Sequence, residues 1–221
     1  MTHLRKTIRY MRRKKEITTD IVLIDIIDFS KLDSSQQLEI ISFLTRSYRK
    51  VLEKMLSPAN ISLQEFIIGF ISTGDGFYSL LDSKYRGYGV ILGLSFNHFS
   101  EQISKKFPYF RGIRIAVHTG PVNRFIDILG HDNFIGDGLN DCARYLELKD
   151  FTISTVMVSQ SAYENFKRFI EVRKEYKELL QKREFKRSNV YTFEDKHGLR
   201  KHGYLVWMRK SGIITPPKYK F

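Results

Sequence analysis

The segment from Ile21 to Ile27, I-V-L-I-D-I-I, sets the first constraint on what this chain can fold into. Six aliphatic residues around one acid read as a strand buried in the middle of a sheet. Asp25 is then the anomaly. A carboxylate among large aliphatic side chains is costly unless a cation or strong donors face it. The other reading is a one-sided strand from which Asp25 faces water, and the sequence leaves both open. Asp28-Phe29-Ser30 closes the strand.

A second carboxylate stands in a comparable setting. From Glu65 to Leu81, E-F-I-I-G-F-I-S-T-G-D-G-F-Y-S-L-L, two apolar runs flank Ser72-Thr73-Gly74-Asp75-Gly76. Strand-like runs around a Gly-rich turn predict a β-hairpin with Asp75 at its tip. Asp is common in turns, so by itself Asp75 reads as a turn residue. Between the two acids, Leu38, Ile41, Leu44, Tyr48, Val51, Leu52 and Met55 keep helical spacing, opened by Ser34-x-x-Gln37 as a capping box. A second helix is expected from Tyr85 to about Lys106, stopped by Pro108. Ile113 to Val117 reads as a strand entered through Arg114. His118 to Pro121 reads as a turn, with Val122 to Leu129 returning as a strand. His118 itself is expected to be a turn or packing histidine.

Further on, Ile153 to Ser159 is expected as a strand and Ser161 to Phe169 as a short helix. Residues 171–187 read as a charged, solvated arm or helix, and Val190 to Phe193 with Tyr204 to Met208 as a closing β-pair. This order is α+β and predicts a ferredoxin-like, palm-type antiparallel sheet with helices on one side. It implies one domain: a basic, weakly helical extension over 1–19, a core over 20–170, and a basic arm with a β-pair over 171–221 completing it.

Charge and cysteine usage narrow the class. The formal net charge of +13 favours polyanionic partners such as nucleic acid, anionic lipid or a nucleoside triphosphate. No zinc-finger, RNP-like or KH signature supports nucleic acid, which ranks second. One cysteine, Cys142, excludes an internal disulfide framework and fits a reducing cytoplasm. No apolar run reaches the roughly 18 residues of a membrane helix, and the N-terminus carries no signal-peptide apolar region.

If the strands of Asp25 and Asp75 are neighbours, their carboxylates converge. Paired carboxylates without a dedicated cage suit Mg²⁺ or Mn²⁺, which share their sites with substrate phosphates. Two such ions can activate one oxygen and stabilise the leaving one. Arg114 would neutralise a triphosphate. In Gly130 to Leu148 a glycine-containing loop enters a helix, where Asn140 and Arg144 are four apart and share one face. An amide and a guanidinium there suit an anionic, ring-bearing ligand, though an ordinary polar face has the same pattern. The residues point to phosphoryl or nucleotidyl transfer and do not separate a polymerase-like palm from a cyclase.

Four stretches together resemble the class III nucleotide cyclase catalytic domain, the family of adenylyl and guanylyl cyclases. They are Ile24 to Ser30, Ser72 to Phe77, Arg114 to Val122, and Asn133 to Gly136 leading to Asn140 and Arg144, over about residues 19–160. The resemblance implies two Mg²⁺ or Mn²⁺ ions on Asp25, Asp75 and the Ile26 carbonyl. It implies triphosphate contacts from the backbone of Ile27, Asp28, Phe29 and Ser30 and from Arg114. Asn140 would orient the ribose and Arg144 would stabilise charge at the α-phosphate. A further phosphate-binding cation is expected among Lys196, Arg200 and Lys201. The family forms head-to-tail homodimers whose sites combine Asp25 and Asp75 of one subunit with Asn140 and Arg144 of the other.

The base-reading positions depart from the family. Where adenylyl cyclases carry a lysine and guanylyl cyclases a glutamate, this chain has Ile71, and the second position is Asn133. An isoleucine has no group with which to read a purine edge. The chain most resembles the stand-alone bacterial pyrimidine cyclases of the Pycsar antiphage system. That likeness implies a cytoplasmic enzyme making cyclic UMP (UTP favoured) or cyclic CMP from CTP, whose product activates a separate effector in antiviral defence. Tyr48 is a candidate to reach the base, with helix packing as its other reading. The competing readings are a purine nucleotide cyclase, and an inactive cyclase-like domain or basic nucleic-acid binder.

Overall fold

The structure is a computed structural model and describes residues 16–147, 155–195 and 198–214. Its centre is β1 (Ile17–Ile26), which pairs antiparallel with β3 (Gly76–Leu81) on one side and with β4 (Ile113–Ile126) on the other. Outside β3 lies β2 (Ile67–Ser72). Beyond β4 come β6 (Val156–Ser159), parallel to it, then β9 (Arg200–Met208) and β7 (Phe185–Arg187). Two short strands branch off: β5 (Asp132–Ile135) on the far end of β4, and β8 (Tyr191–Glu194) on β9.

The expected α+β fold is what forms. α1 (Ser34–Leu56), α2 (Tyr88–Lys106), α4 (Gln160–Val172) and α5 (Lys174–Lys182) cover one face of the sheet. Alternation along β1 explains the two layers. Val22, Ile24 and Ile26 join the helix-side core, while Ile21 and Leu23 join a smaller core on the opposite face. That second face is covered by α3 (Asp137–Tyr145) through Cys142, Tyr145 and Leu146, and by Phe134 of β5. No helix among the described residues is long and apolar enough to cross a membrane.

Several expected boundaries move. β1 starts at Ile17, so residues 17–19 are strand rather than helical extension; residues 1–15 lie outside the described residues. The capping box of α1 is Asp33 with Gln36, one residue earlier than the serine reading: Asp33 Oδ1 accepts from Gln36 N at 2.9 Å, and Gln36 Oε1 accepts from Asp33 N at 3.1 Å. α2 begins at Tyr88, after a 3₁₀ turn at Ser83–Tyr85. No turn interrupts β4 at His118 to Pro121. These residues pair with Ile21 to Thr18, so the ladder to β1 carries the chain straight through. The charged segment after residue 171 is not a solvated arm. Tyr176 and Leu180, four apart on α5, are both buried in the helix-side core.

Candidate active site

Asp25 lies on β1 two residues beyond Leu23, on the face opposite the main helices. It is paired in the ladder with Gly76 of β3 and Arg114 of β4. The hairpin tip is tied to this strand end, because Ile26 N–H donates to the Asp75 carbonyl at 2.9 Å. The contact is close enough to require glycine. A Cβ at Gly76 would come 1.9 Å from the Ile24 carbonyl oxygen. Gly74, with φ of 91°, makes the turn itself. The two carboxylates are therefore neighbours at one end of the sheet. Thr73 Oγ1 donates to Asp75 Oδ1 at 3.0 Å.

Arg114 faces Asp25. Its Nε and Nη2 both donate to Asp25 Oδ2, at 2.8 and 2.5 Å, and Nη1 reaches the Leu146 carbonyl at 3.4 Å. Asp25 is nevertheless pushed above the usual carboxylate range. Burial is the main cause, Arg114 opposes it, and the charge of Asp75 adds to it. A carboxylate whose charge is under-compensated beside a second carboxylate has the donor chemistry for a hard cation. No cluster of three or more His, Cys, Asp or Glu side chains that could hold a metal occurs among the described residues, so any such ion would complete its shell from elsewhere.

The strand end turns sharply after Ile26. Asp28 has a left-handed backbone (φ 59°) and pairs with Lys31 at 2.9 Å. Phe29–Lys31 forms a single 3₁₀ turn, with Phe29 packed on the helix-side core. The N–H groups of Asp28, Phe29 and Ser30 have no intramolecular acceptor among the described residues. Ile27 differs: its N–H donates to the Gly112 carbonyl at 3.0 Å, so it is already engaged.

The second group of residues is held by α3. This helix approaches β4 closely because a Cβ at Gly138 would lie 2.7 Å from the Pro121 carbonyl oxygen. Asn140 is exposed on α3. Arg144 Nη1 pairs with Asp141 Oδ1 at 2.6 Å, and its Nε lies 3.2 Å from Asp195 Oδ2. Lys201 Nζ pairs with the same Asp141 oxygen at 2.9 Å. Of the three expected phosphate cations, Lys201 thus adjoins Arg144, Arg200 is exposed at the start of β9, and Lys196 lies outside the described residues. Sequence reasoning missed Asp141 and Asp195. The i, i+3 spacing of Asp141 to Arg144 was visible; nothing local marked Asp195. Among the described residues, no hydrogen bond or ion pair joins Asn140 or Arg144 to Asp25 or Asp75 within one chain.

The proposed base-reading positions fall in different settings. Ile71 on β2 is half-buried against the smaller core and pairs with Tyr78 of β3. The Tyr78 phenol is pushed up to about 12, first by burial and then by Cys142, Asp25 and Asp75, so it stays protonated. Asn133 is half-buried on β5, and its Oδ1 accepts from Phe134 N at 2.8 Å. Tyr48 is corrected. It is buried in the helix-side core, edge-on to Phe77 and Phe96, on the other face of the sheet from Asp25. The helical spacing that placed it on an apolar stripe is the whole reason for its position. His118 is a packing histidine, stacked on Tyr145 and held down to about 4 by burial.

No family model matches the sequence, and no curated protein matches it either. The fold, by contrast, has close counterparts among solved structures. The guanylate cyclase domain of RhGC from Catenaria anguillulae, solved in complex with GTP, superposes with a TM-score of 0.64 at 17% identity, covering 89% of this chain and 100% of that one. The catalytic core of a rhodopsin-guanylyl cyclase with converted specificity, in complex with ATPalphaS, gives 0.63 at 17% identity, covering 90% and 100%. The guanylyl cyclase Cya2 gives 0.61 at 12%, covering 91% and 99%. The chain therefore has the fold of adenylyl and guanylyl cyclase catalytic domains.

Proposed function

We propose that the chain is a nucleotide cyclase that converts a pyrimidine nucleoside triphosphate, UTP before CTP, to its 3′,5′-cyclic monophosphate and pyrophosphate. The observation that carries this is the pairing of Asp25 and Asp75 at one sheet end, faced by Arg114, on a fold shared with cyclase domains. In the reaction the 3′-oxygen forms a bond to the α-phosphorus and loses its proton. The bond from that phosphorus to the bridging oxygen of the β-phosphate breaks, and pyrophosphate leaves.

Asp25, Asp75 and the Ile26 carbonyl would hold two Mg²⁺ or Mn²⁺ ions, which supply charge neutralisation and an acidified 3′-hydroxyl when bound. The chain's own groups do the rest. Arg114 shifts from Asp25 to the phosphates. The N–H groups of Asp28, Phe29 and Ser30 donate to phosphate oxygens as an anion-binding nest. Ile27 keeps its bond to Gly112 and is not part of that nest. Asn140 holds the ribose, Arg144 meets the charge that develops at the α-phosphate, and Lys201 binds the outer phosphates.

In this reading Asn140 and Arg144 come from the other subunit, so that the complete site is formed by two subunits of a homodimer. An exposed apolar arm supports a second copy: Ile128, Leu129 and Ile135 are 100%, 75% and 62% exposed at the β4–β5 turn. Ile71 supports the pyrimidine reading, since it offers no purine-reading group. The antiviral setting, with a separate effector activated by the cyclic nucleotide, rests on the sequence likeness to the Pycsar cyclases.

The test is incubation of purified protein with ATP, GTP, CTP and UTP in turn, with Mn²⁺, and identification of the product by mass spectrometry. Cyclic UMP or cyclic CMP is expected. Cyclic AMP or GMP as the dominant product would support instead a purine cyclase, the reading favoured by the GTP and ATPalphaS complexes of the similar structures. For the antiviral role, cells carrying the protein with its effector are challenged with phage. Protection that persists in Asp75→Ala would sink that role.

A further inference from the structure

Arg144 is not simply exposed on α3; it is gripped. Its Nη1 donates to Asp141 Oδ1 at 2.6 Å, and its Nε lies 3.2 Å from Asp195 Oδ2 as an ion pair outside hydrogen-bond geometry. Nη2 has no partner among the described residues. Asp195 comes from the connection between β8 and β9, and its side chain is fully buried. Its other oxygen, Oδ1, accepts from Leu199 N at 3.0 Å, which locks the carboxylate to its own turn. Asp141 Oδ1 is shared: Lys201 Nζ, at the start of β9, reaches it at 2.9 Å. Two carboxylates thus meet two cations. All four side chains are at most 24% exposed, so the charges depend on one another more than on solvent.

This arrangement does two things for a guanidinium. A planar fork hydrogen-bonded at Nη1 and ion-paired at Nε is restrained on two sides, which favours one direction for Nη2 before any ligand arrives. A donor aimed in advance at developing charge is the form in which electrostatic stabilisation is most effective. The two holding groups also come from different elements. Asp141 is on α3, and Asp195 and Lys201 belong to the β8–β9 pair, so that pair takes part in aligning Arg144.

We propose that Asp141 and Asp195 are positioning residues that hold Arg144 by Nη1 and Nε so that Nη2 alone is presented to substrate, and that Asp141 ties Lys201 into the same unit. This rests on the cyclase reading above. It predicts different kinetic signatures for the two carboxylates. Asp195 pairs with Arg144 directly, so Asp195→Asn lowers kcat by about 10-fold or more and leaves KM for the triphosphate within about threefold. Asp141 touches both cations, so Asp141→Asn lowers kcat and also raises KM. Asp141→Glu, which keeps the charge, recovers part of the lost kcat. Lys201→Met raises KM with a smaller change in kcat.

The experiment is steady-state kinetics of these variants with the preferred triphosphate and Mn²⁺, each beside a thermal melt. If Asp195→Asn does not fold, Asp141→Asn decides, because its side chain is partly exposed and its loss need not disturb the core. A kcat within twofold of wild type in the folded variants overturns the inference. So does a rise in KM with unchanged kcat in Asp141→Asn. Wild-type protein that turns over none of the four triphosphates overturns the cyclase reading and this inference with it, whereas an active wild type with active variants overturns the inference alone.

Discussion

Asp25 is destabilising where it stands. Burial raises its carboxyl further than Arg114 lowers it, so the folded chain prefers the protonated form relative to the unfolded chain. The sign follows from linkage. Below the ordinary carboxylate range the acid is protonated in both states and there is no penalty. As pH rises through the folded-state value the penalty grows, and at neutral pH it is fully present. Asp25→Asn should therefore melt higher than wild type at pH 7 without divalent metal. The gain is a few degrees, since about 1 kcal/mol corresponds to roughly 2–4 °C for a chain of this size. The difference should shrink as pH is lowered toward 4, and activity should be lost throughout. Thermal melts in chelator across pH 4–8 check this; a variant that melts lower than wild type at every pH would show that the Arg114 pair outweighs burial. At this scale the sequence was readable where a residue broke its local pattern. An acid in an aliphatic strand stood out, and the Asp75 hairpin tip and Arg114 are what meet it. Tyr48 fitted its helical stripe and was core, while Asp195 broke no pattern and could be found only in space.

Elements are joined here by groups far apart in sequence. The residue at the N-cap of α2 is Gly87, which has a left-handed backbone (φ 97°) and no side chain with which to cap. The cap comes from Asp20 on β1. Its Oδ2 accepts from Gly87 N at 2.7 Å and Gly89 N at 3.0 Å, and its Oδ1 accepts from the Thr119 hydroxyl at 2.6 Å. Asp20 is fully buried, and burial pushes its carboxyl up while these three donors pull it down. Asp20→Ala leaves three buried donors without an acceptor, a loss of about 2–4 kcal/mol. The expected result is a melting temperature about 5–15 °C lower, with the smaller Thr119→Val effect in the same direction. A shift under about 2 °C would mean that water replaces the carboxylate. The β4–β5 arm makes the opposite kind of prediction. Ile128→Asp with Leu129→Asp changes only exposed residues, so the melt should hold while light scattering reports a monomer and activity falls about 10-fold or more. A persistent dimer would remove the arm from the interface.

Over the whole molecule, the α+β class and most strands were legible because period-two and helical spacing report burial directly. What was not legible depended on pairing. The chain passes straight through His118 to Pro121, despite their turn-like composition, because β1 supplies a partner for every one of them. The charged stretch after residue 171 places Tyr176 and Leu180 in the helix-side core, with Leu179 packed against it, and these dock α5. The proposed division of the site was not legible from spacing either: the acids lie at one sheet end, while Arg144, on the same helix as Asn140, is tied to Asp141 and Asp195. That division makes the last prediction one about assembly. Asp75→Ala and Arg144→Ala should each lower activity by more than about 100-fold while leaving the dimer intact. If each site takes its acids from one subunit and its arginine from the other, a heterodimer of the two variants has one site with both defects and one with neither. Random assortment of an equal mixture makes half the dimers mixed, so about one quarter of wild-type activity should return. The mixture must be co-expressed, or unfolded and refolded together, so that subunits exchange, and size-exclusion chromatography confirms the dimer. Activity that stays at the level of the single variants would place the acids and Arg144 of each site on the same chain.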